Sequence, residues 1–340
     1  MLKGLMMAVL GRDDILYYLN GGNDEELYAI ADGLREESFG REVYLRAIVE
    51  FSNICNKKCN YCGLRAPNSK VSRYRMKVDS IIESAHLAAE AGARTIVLQS
   101  GDDFNYSPAQ VEDIILGIKE SHDVAVTLSL GDRSAGEYEH WFNCGADRCL
   151  LKLETTAPEI YKRIRCGENY HQRIELLRSL QDIGYEVGSG IIVGLPDYTL
   201  EQLADDLLFL SALDLDMIAA GPFIPHPDTP FSLAETSDIE LSYRFTALAR
   251  LLNPLSNIPA TSALDSFDSK GREKGLQRGC NVIMPSVTPA AKRKDYNIYP
   301  GKNAISVDVA DTISRAEELV RALGFVPSAS KGSSRRMNNV

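Results

Sequence analysis

Within FSNICNKKCNYCGLR, residues 51–65, cysteines stand at Cys55, Cys59 and Cys62, a Cys-x3-Cys-x2-Cys spacing that lets all three thiolates reach one inorganic centre. A structural zinc would need a fourth Cys or His at motif distance, and the next histidine, His86, falls inside a predicted helix. An iron-sulfur cluster on three thiolates instead leaves one iron open to a non-protein ligand. The fourth position is then kept for a substrate or cofactor. The remaining cysteines, Cys144, Cys149, Cys166 and Cys280, lie in apolar or loop contexts and are expected to be inert, as free Cys mostly is. Seven cysteines without a disulfide framework point to a reducing cytoplasm.

Such a loop must be held by something rigid. Strand-like runs at 43–52, 95–100, 124–130, 148–154, 186–195, 216–221, 257–263 and 281–285 alternate with helical stretches at 78–91, 108–121, 136–144, 158–183, 200–213, 238–253 and 268–278. The alternation implies parallel strands joined by right-handed crossovers, and eight units suit an α/β fold of the closed (β/α)8 TIM type. A doubly wound open sheet is the rival. In a barrel the chemistry sits at the C-terminal ends of the strands, and the cysteine loop directly follows the first run. The chain divides into an N-terminal helical extension (1–42), the barrel (43–310), a C-terminal helix (311–325) and a polar, basic tail (326–340) expected to be disordered.

A net charge of -10 draws neither nucleic acid nor an anionic membrane. No apolar run reaches the roughly 18 residues of a membrane span, and the start, MLKGLMMAVLGRDD, lacks a cleavage site and reads as the edge of a helix. The expected partner is a small molecule.

The cysteine loop, with Tyr61 before its last cysteine, resembles that of the radical S-adenosylmethionine (SAM) enzymes. The resemblance implies one 4Fe-4S cluster on Cys55, Cys59 and Cys62, with SAM chelating the open iron, and an electron donor such as ferredoxin or flavodoxin. SGDD (Ser100, Gly101, Asp102, Asp103) stands where the family has a Gly-Gly-Glu stretch for the SAM amino group, although the wording differs. GIIVG (Gly190 to Gly194, with Ile192 at its centre) is similar to the family's adenine-packing segment. Glu154 and Arg173 match the positions that meet the SAM ribose and carboxylate; Thr127 and Ser129 are further candidate contacts. Without the family, Arg173 reads equally well as a solvated helix face, and Gly190 and Gly194 as a strand bulge.

Further stretches, RYRM (73–76), VTLSLG (126–131), GPFIPHPDTP (221–230), NIPATSA (257–263) and NVIMPSVTPAAKRKDYNIYPGK (281–302), resemble one branch of that superfamily, the HydE maturases of iron-iron (FeFe) hydrogenase. Methylornithine synthase and biotin synthase share the general plan. The branch implies an organometallic substrate, a cysteine-bound iron carbonyl cyanide precursor attacked at sulfur by a 5'-deoxyadenosyl radical, and other hydrogenase maturation proteins as partners. Pocket positions carried over are Lys152, Thr261, Ser262 and Met284, with Tyr296 and Tyr299 expected to serve catalysis. A cation and hydroxyls suit an anionic substrate in a dehydrated cavity. For Thr261 and Ser262 the plain alternative is bonding to nearby backbone, and for the tyrosines it is core packing. His226, on a loop stiffened by Pro225, Pro227 and Pro230, reads either as lining the substrate mouth or as part of a rigid loop, and is not assigned a catalytic role.

Two departures stand out. The branch reads Arg-His-Glu where this chain has Lys152, Leu153 and Glu154, and Lys does not replace Arg at a forked anion contact. After YPGK no cysteine follows, so a single cluster is expected. The alternatives are a radical SAM amino-acid mutase or thiol-modifying enzyme, and a non-catalytic iron-sulfur carrier or scaffold. A carrier has no need of an adenine wall or of Glu154 and Arg173.

Overall fold

The protein is described from a computed structural model covering residues 10–302 and 307–336; residues 1–9 of the start, read above as a helix edge, lie outside them. Eight parallel strands form the frame: β1 (Glu42–Ser52), β2 (Thr95–Ser100), β3 (Ala125–Ser129), β4 (Arg148–Leu150), β5 (Glu186–Val193), β6 (Met217–Pro222), β7 (Pro259–Ala260) and β8 (Val282–Ile283). Their order is β6-β5-β4-β3-β2-β1-β8-β7. The remaining seam, β6 to β7, is closed by a single parallel bridge between Met217 and Asn257. There Ile218 donates to the Asn257 carbonyl (3.0 Å) and Asn257 to that of Asp216 (2.8 Å). The structure is therefore the nearly closed TIM-type barrel, and the open-sheet rival falls.

Local chemistry explains the boundaries. The helices Pro108–Ser121, Ala135–Asn143 and Leu200–Ala212 each begin at a capping box, Ser107 with Gln110, Ser134 with Glu137 and Thr199 with Gln202, so two otherwise orphaned amides are satisfied at each start. Strand β1 is buried along almost its whole length, as a strand covered on both faces must be. Before it, the helices Arg12–Leu19 and Asp24–Phe39 pack on Ile239–Leu252. Arg244 ties them by a forked bond to Asp24 (2.7 and 2.8 Å).

Three expectations need correction. The helix expected over 158–183 is two, Pro158–Ile164 and Tyr170–Ile183. Gly167 turns the chain at φ +89°, and the Asn169 side chain accepts from the amides of His171 and Gln172 to start the second; apolar spacing runs across the break and hides it. The strand expected over 148–154 pairs regularly only to Leu150, then again at a bridge between Glu154 and Ile191. Glu154 sits there at φ +69°, a conformation that non-glycine residues seldom adopt.

The third correction is the tail expected over 326–340, as far as residue 336; residues 337–340 lie outside the described residues. Val326–Pro327 forms a short ninth strand beside β1, and residues 331–334 cross the N-terminal end of the barrel. Arg148, almost fully buried, donates to Glu186 (2.8 Å), Thr95 Oγ1 (3.0 Å), the Lys331 carbonyl (3.0 Å) and Ser333 Oγ (3.1 Å). Arg46 and Asn257 donate to the Gly332 carbonyl (3.0 and 3.1 Å), and the Ser334 amide to Glu186 (3.0 Å). Composition suggested disorder because the segment is polar, but buried charges on the barrel floor need its polar backbone.

Replacing Arg148 by Ala strands Glu186 in the floor. The expected cost is about 3 kcal/mol, the usual loss when one partner of a buried ion pair is removed, and a fall in melting temperature of roughly 4 °C, read by differential scanning calorimetry. An unchanged melting temperature would refute the Arg148 cluster on the barrel floor as a stabilising element.

Candidate active site

The loop after β1 has almost no regular backbone pairing, so its shape is fixed by side chains. Arg73 donates from Nη1 to the carbonyls of Asn53 and Leu64 (2.7 and 2.9 Å) and from Nη2 to those of Arg65 and Asn68 (2.8 and 3.2 Å). Asn53 donates to the carbonyls of Ser72 and Asp295 (both 2.8 Å) and accepts from the Tyr74 amide (2.7 Å). Two glycines allow close approach: a Cβ on Gly63 would lie 2.3 Å from the Asn297 carbonyl oxygen and 2.5 Å from His226 Nε2, and one on Gly101 would lie 2.3 Å from that of Ile54. His226 therefore packs behind the loop, buried, with Nδ1 accepting from the Asp228 amide (3.1 Å) and burial holding its pKa down. It does not line the cavity.

That cavity, about 330 Å³, opens at the C-terminal ends of the strands. Cys55, Cys59 and Cys62 all face it, as do Tyr61, Ser100, Gly101, Asp102, Ser129, Lys152, Glu154, Arg173, Ile192, Thr261, Ser262, Met284, Tyr296 and Tyr299. Three expected cofactor residues do not. Thr127 lies deeper, on a separate void of about 20 Å³ beside Arg46 and Met217. Gly190 faces β6 so closely that a Cβ would meet the Ala219 carbonyl oxygen at 1.8 Å, and Gly194 turns the chain at φ +74° against Ser237. Their glycines serve strand packing and the turn that follows.

Burial pushes the Cys55 thiol up to about 11, with the charge of Asp102 adding to it, and also raises Cys59 and Cys62. A bound cation inverts that preference, since a coordinating thiol is deprotonated outright.

Beside the cysteines stands a charge cluster that motif reading overlooks. Asp132 pairs with Lys57 (3.0 Å), Arg165 (3.1 Å) and Arg173, and Lys57 also pairs with Glu168. Burial opposes the Asp132 charge, but Arg173, Arg165 and Lys57 outweigh it and hold the carboxyl well below its usual range. Arg173 further donates to the Lys152 carbonyl (3.1 and 2.8 Å). Its guanidinium fork, read from sequence as a SAM carboxylate clamp, is thus bonded within the protein. The signals were present: Lys57 sits inside the cysteine motif, Asp132 follows β3, and Arg165 and Glu168 lie in the helix break.

Across the cavity, fully buried Glu50 accepts from Ser286 Oγ (2.5 Å), Thr288 Oγ1 and Lys302 Nζ. Burial works against its charge, and Lys302 with both hydroxyls lowers its pKa below the usual carboxylate value. Lys302 also lies 4.9 Å from the Tyr296 ring centroid. Tyr296 accepts from Gln99 Nε2 (3.1 Å), and Tyr299 shares a 2.6 Å bond with Ser262. Burial raises both phenols, so they act as neutral hydroxyls. Two lining oxygens are buried without a hydrogen bond: Thr261 Oγ1, and Glu154 Oε2, which has Lys152 Nζ at 2.9 Å but outside bonding geometry. A buried polar atom left so is costly unless a ligand completes it. Leu153 is buried away from the cavity, so of the two departures in that tripeptide only Lys152 alters its wall.

Residues 49–210 match the model of the radical SAM superfamily. The chain is 45% identical over 316 residues to the [FeFe] hydrogenase maturase subunit HydE of Thermotoga maritima, covering 93% of this chain and 90% of that protein. It is 27% identical over 277 residues to 3-methylornithine synthase of Methanosarcina barkeri, covering 81% and 78%. The fold superposes on the crystal structure of methylornithine synthase (PylB) with a TM-score of 0.83 over 96% of this chain and 97% of that one, at 23% identity.

Replacing Asp132 by Asn removes the shared anion of three cations. The folded-state pKa lies below the unfolded value of about 3.9, so the stabilisation is complete above that value and is lost as pH falls through the folded one. Urea unfolding of cluster-free protein is expected to show a loss of about 3 kcal/mol at pH 7 and a flatter fall in stability between pH 5 and 3. Parallel pH profiles for the two proteins would contradict this assignment.

Proposed function

The chain belongs to the radical SAM superfamily, whose members use a 4Fe-4S cluster and SAM, and from that premise we propose that it acts in assembly of the FeFe-hydrogenase active site, the H-cluster. Its substrate in this reading is a cysteine-bound iron carbonyl cyanide precursor. Support comes from the identity with a hydrogenase maturase along nearly the whole length. The observation that carries the chemistry is the meeting of three cysteines and an uncompleted Glu154 carboxylate in one cavity.

These residues fit the cofactor pair. Cys55, Cys59 and Cys62 would hold one cluster and leave an iron for SAM. Glu154 Oε2, lacking a hydrogen bond, is chemically suited to accept from ribose hydroxyls, the role a carboxylate plays in dinucleotide sites. Ile192 offers an apolar wall for adenine, and Ser100, Gly101, Asp102 and Ser129 border the same space. When bound, the reduced cluster and SAM supply one-electron cleavage of SAM to methionine and a 5'-deoxyadenosyl radical.

The chain's own part is positioning and exclusion. Lys152 and Lys302 line the wall, each paired with a carboxylate, Glu154 and Glu50, and their ammonium groups offer donors to an anionic substrate in a cavity where such contacts gain more than in water. Thr261, Ser262, Tyr296 and Tyr299 present neutral hydroxyls, and Met284 an apolar surface. Asp132 fixes Lys57, Arg165 and Arg173, so the region beside the cysteines is set before any ligand arrives, the preorganisation that keeps reacting groups aligned.

The anaerobically reconstituted, reduced protein is expected to give a 4Fe-4S electron paramagnetic resonance signal that shifts on adding SAM, together with 5'-deoxyadenosine. Cys59→Ala should lose both, and Glu154→Ala should weaken SAM binding about tenfold, one charge-assisted hydrogen bond's worth. A cluster signal indifferent to SAM would instead favour an iron-sulfur carrier.

A further inference from the structure

From Phe51 to Lys77 the chain carries seven basic residues and no acidic one, in a protein whose net charge is -10. Three of the seven are used internally: Lys57 on Asp132 and Glu168, Arg73 on loop carbonyls, and Arg75 on Asp103. Of the others, Lys58, Lys70 and Lys77 are exposed and Arg65 is half-buried. Lys58 is exposed beside Cys59, and Arg65 folds back to donate to the Lys58 carbonyl (3.1 Å). The same loop seats on the end of the helix Pro158–Ile164, where Asn60 donates to the carbonyls of Ile164 (2.8 Å) and Arg163 (2.9 Å). This brings exposed Lys162, and Arg163, to the patch. Asp197 pairs with Arg163 and Asp228 with Lys70, and Glu159 is exposed on the same helix. Among the described residues Lys58 and Lys162 have no ion pair, so their charge is open to a partner.

We propose that the face formed by Lys58, Arg65, Lys162 and Arg163 is the docking surface of a small acidic one-electron carrier protein. The inference rests on the function proposed above, because only a site that needs an external electron gives such a partner a purpose. The carrier gives up one electron, the cofactor site gains it, and no bond is made or broken. Lysines left unpaired beside the cysteine loop of an acidic protein favour encounter with an acidic partner at this face, which raises the rate and sets the orientation of encounter.

The test measures the affinity of the holoprotein for reduced flavodoxin by biolayer interferometry, at low and moderate salt. The wild type should bind about tenfold more weakly at 0.3 M than at 0.05 M sodium chloride. The double variant Lys58→Glu, Lys162→Glu should bind about tenfold more weakly at low salt and lose most of that dependence. A control with the same change in net charge elsewhere, Arg94→Glu with Arg178→Glu, should stay within about twofold of wild type. Equal losses in both variants, or wild-type affinity in the first, overturn the proposal. Dithionite-driven formation of 5'-deoxyadenosine should be equal in all three proteins. Its absence in the wild type would remove the underlying function, and the docking surface with it, whereas its presence beside unaltered binding by Lys58→Glu, Lys162→Glu would remove the docking surface alone.

Discussion

Three cysteines can serve one centre only if an irregular loop is held still, and irregular backbone leaves carbonyls without partners of its own. Arg73 answers that constraint by donating to four carbonyls of the loop. Asn53, at the end of β1, does the same with both faces of its amide. The barrel supplies the floor under this arrangement, and Gly63 and Gly101 let neighbouring segments press against it at distances that any side chain would forbid.

Charge is organised in layers along the barrel axis. Asp132 with its three cations lies beside the cysteines, Glu50 with Lys302 lies across the cavity, and Arg148 with Glu186 lies at the opposite end. Glu50 and Glu186 are buried and Asp132 is half-buried, and each is stabilised by several donors; breaking one such set costs more than forming a surface pair gains. The upper two layers border the reaction space, while the lower one serves only the fold. This division explains how a strongly charged interior can be both rigid and functional.

The strands and most helices were legible because their apolar periodicity is set by local geometry. The cysteines were legible because their spacing is chemical. What escaped was decided by partners distant in sequence. Arg173 looked free until its bonds to Asp132 and the Lys152 carbonyl were seen, and Asp132 carries no motif of its own. Thr127 sits on the expected strand but one layer below the cavity, a difference of depth that alternation along a strand cannot reveal. Glu154 was singled out by its match to a family position, yet only the positive φ shows how the chain turns there. Polar composition hid the ordered tail because its partners, Arg46, Arg148 and Glu186, are themselves polar and scattered.

That tail has a kinetic meaning. Arg46 and Gly332 are separated by 286 positions in sequence, and synthesis proceeds from the N-terminus with domains folding as units. The barrel floor therefore completes late, by one of the most non-local contacts in the molecule, and loop closure over such a span is slow. Until then, an assembling chain exposes a guanidinium-lined opening at one end while the cysteine loop at the other already has Arg73 in its own sequence to shape it. The cysteine loop carries one of its organisers, Arg73, within its own stretch of sequence, whereas the floor takes its last carbonyl from the far end of the described chain.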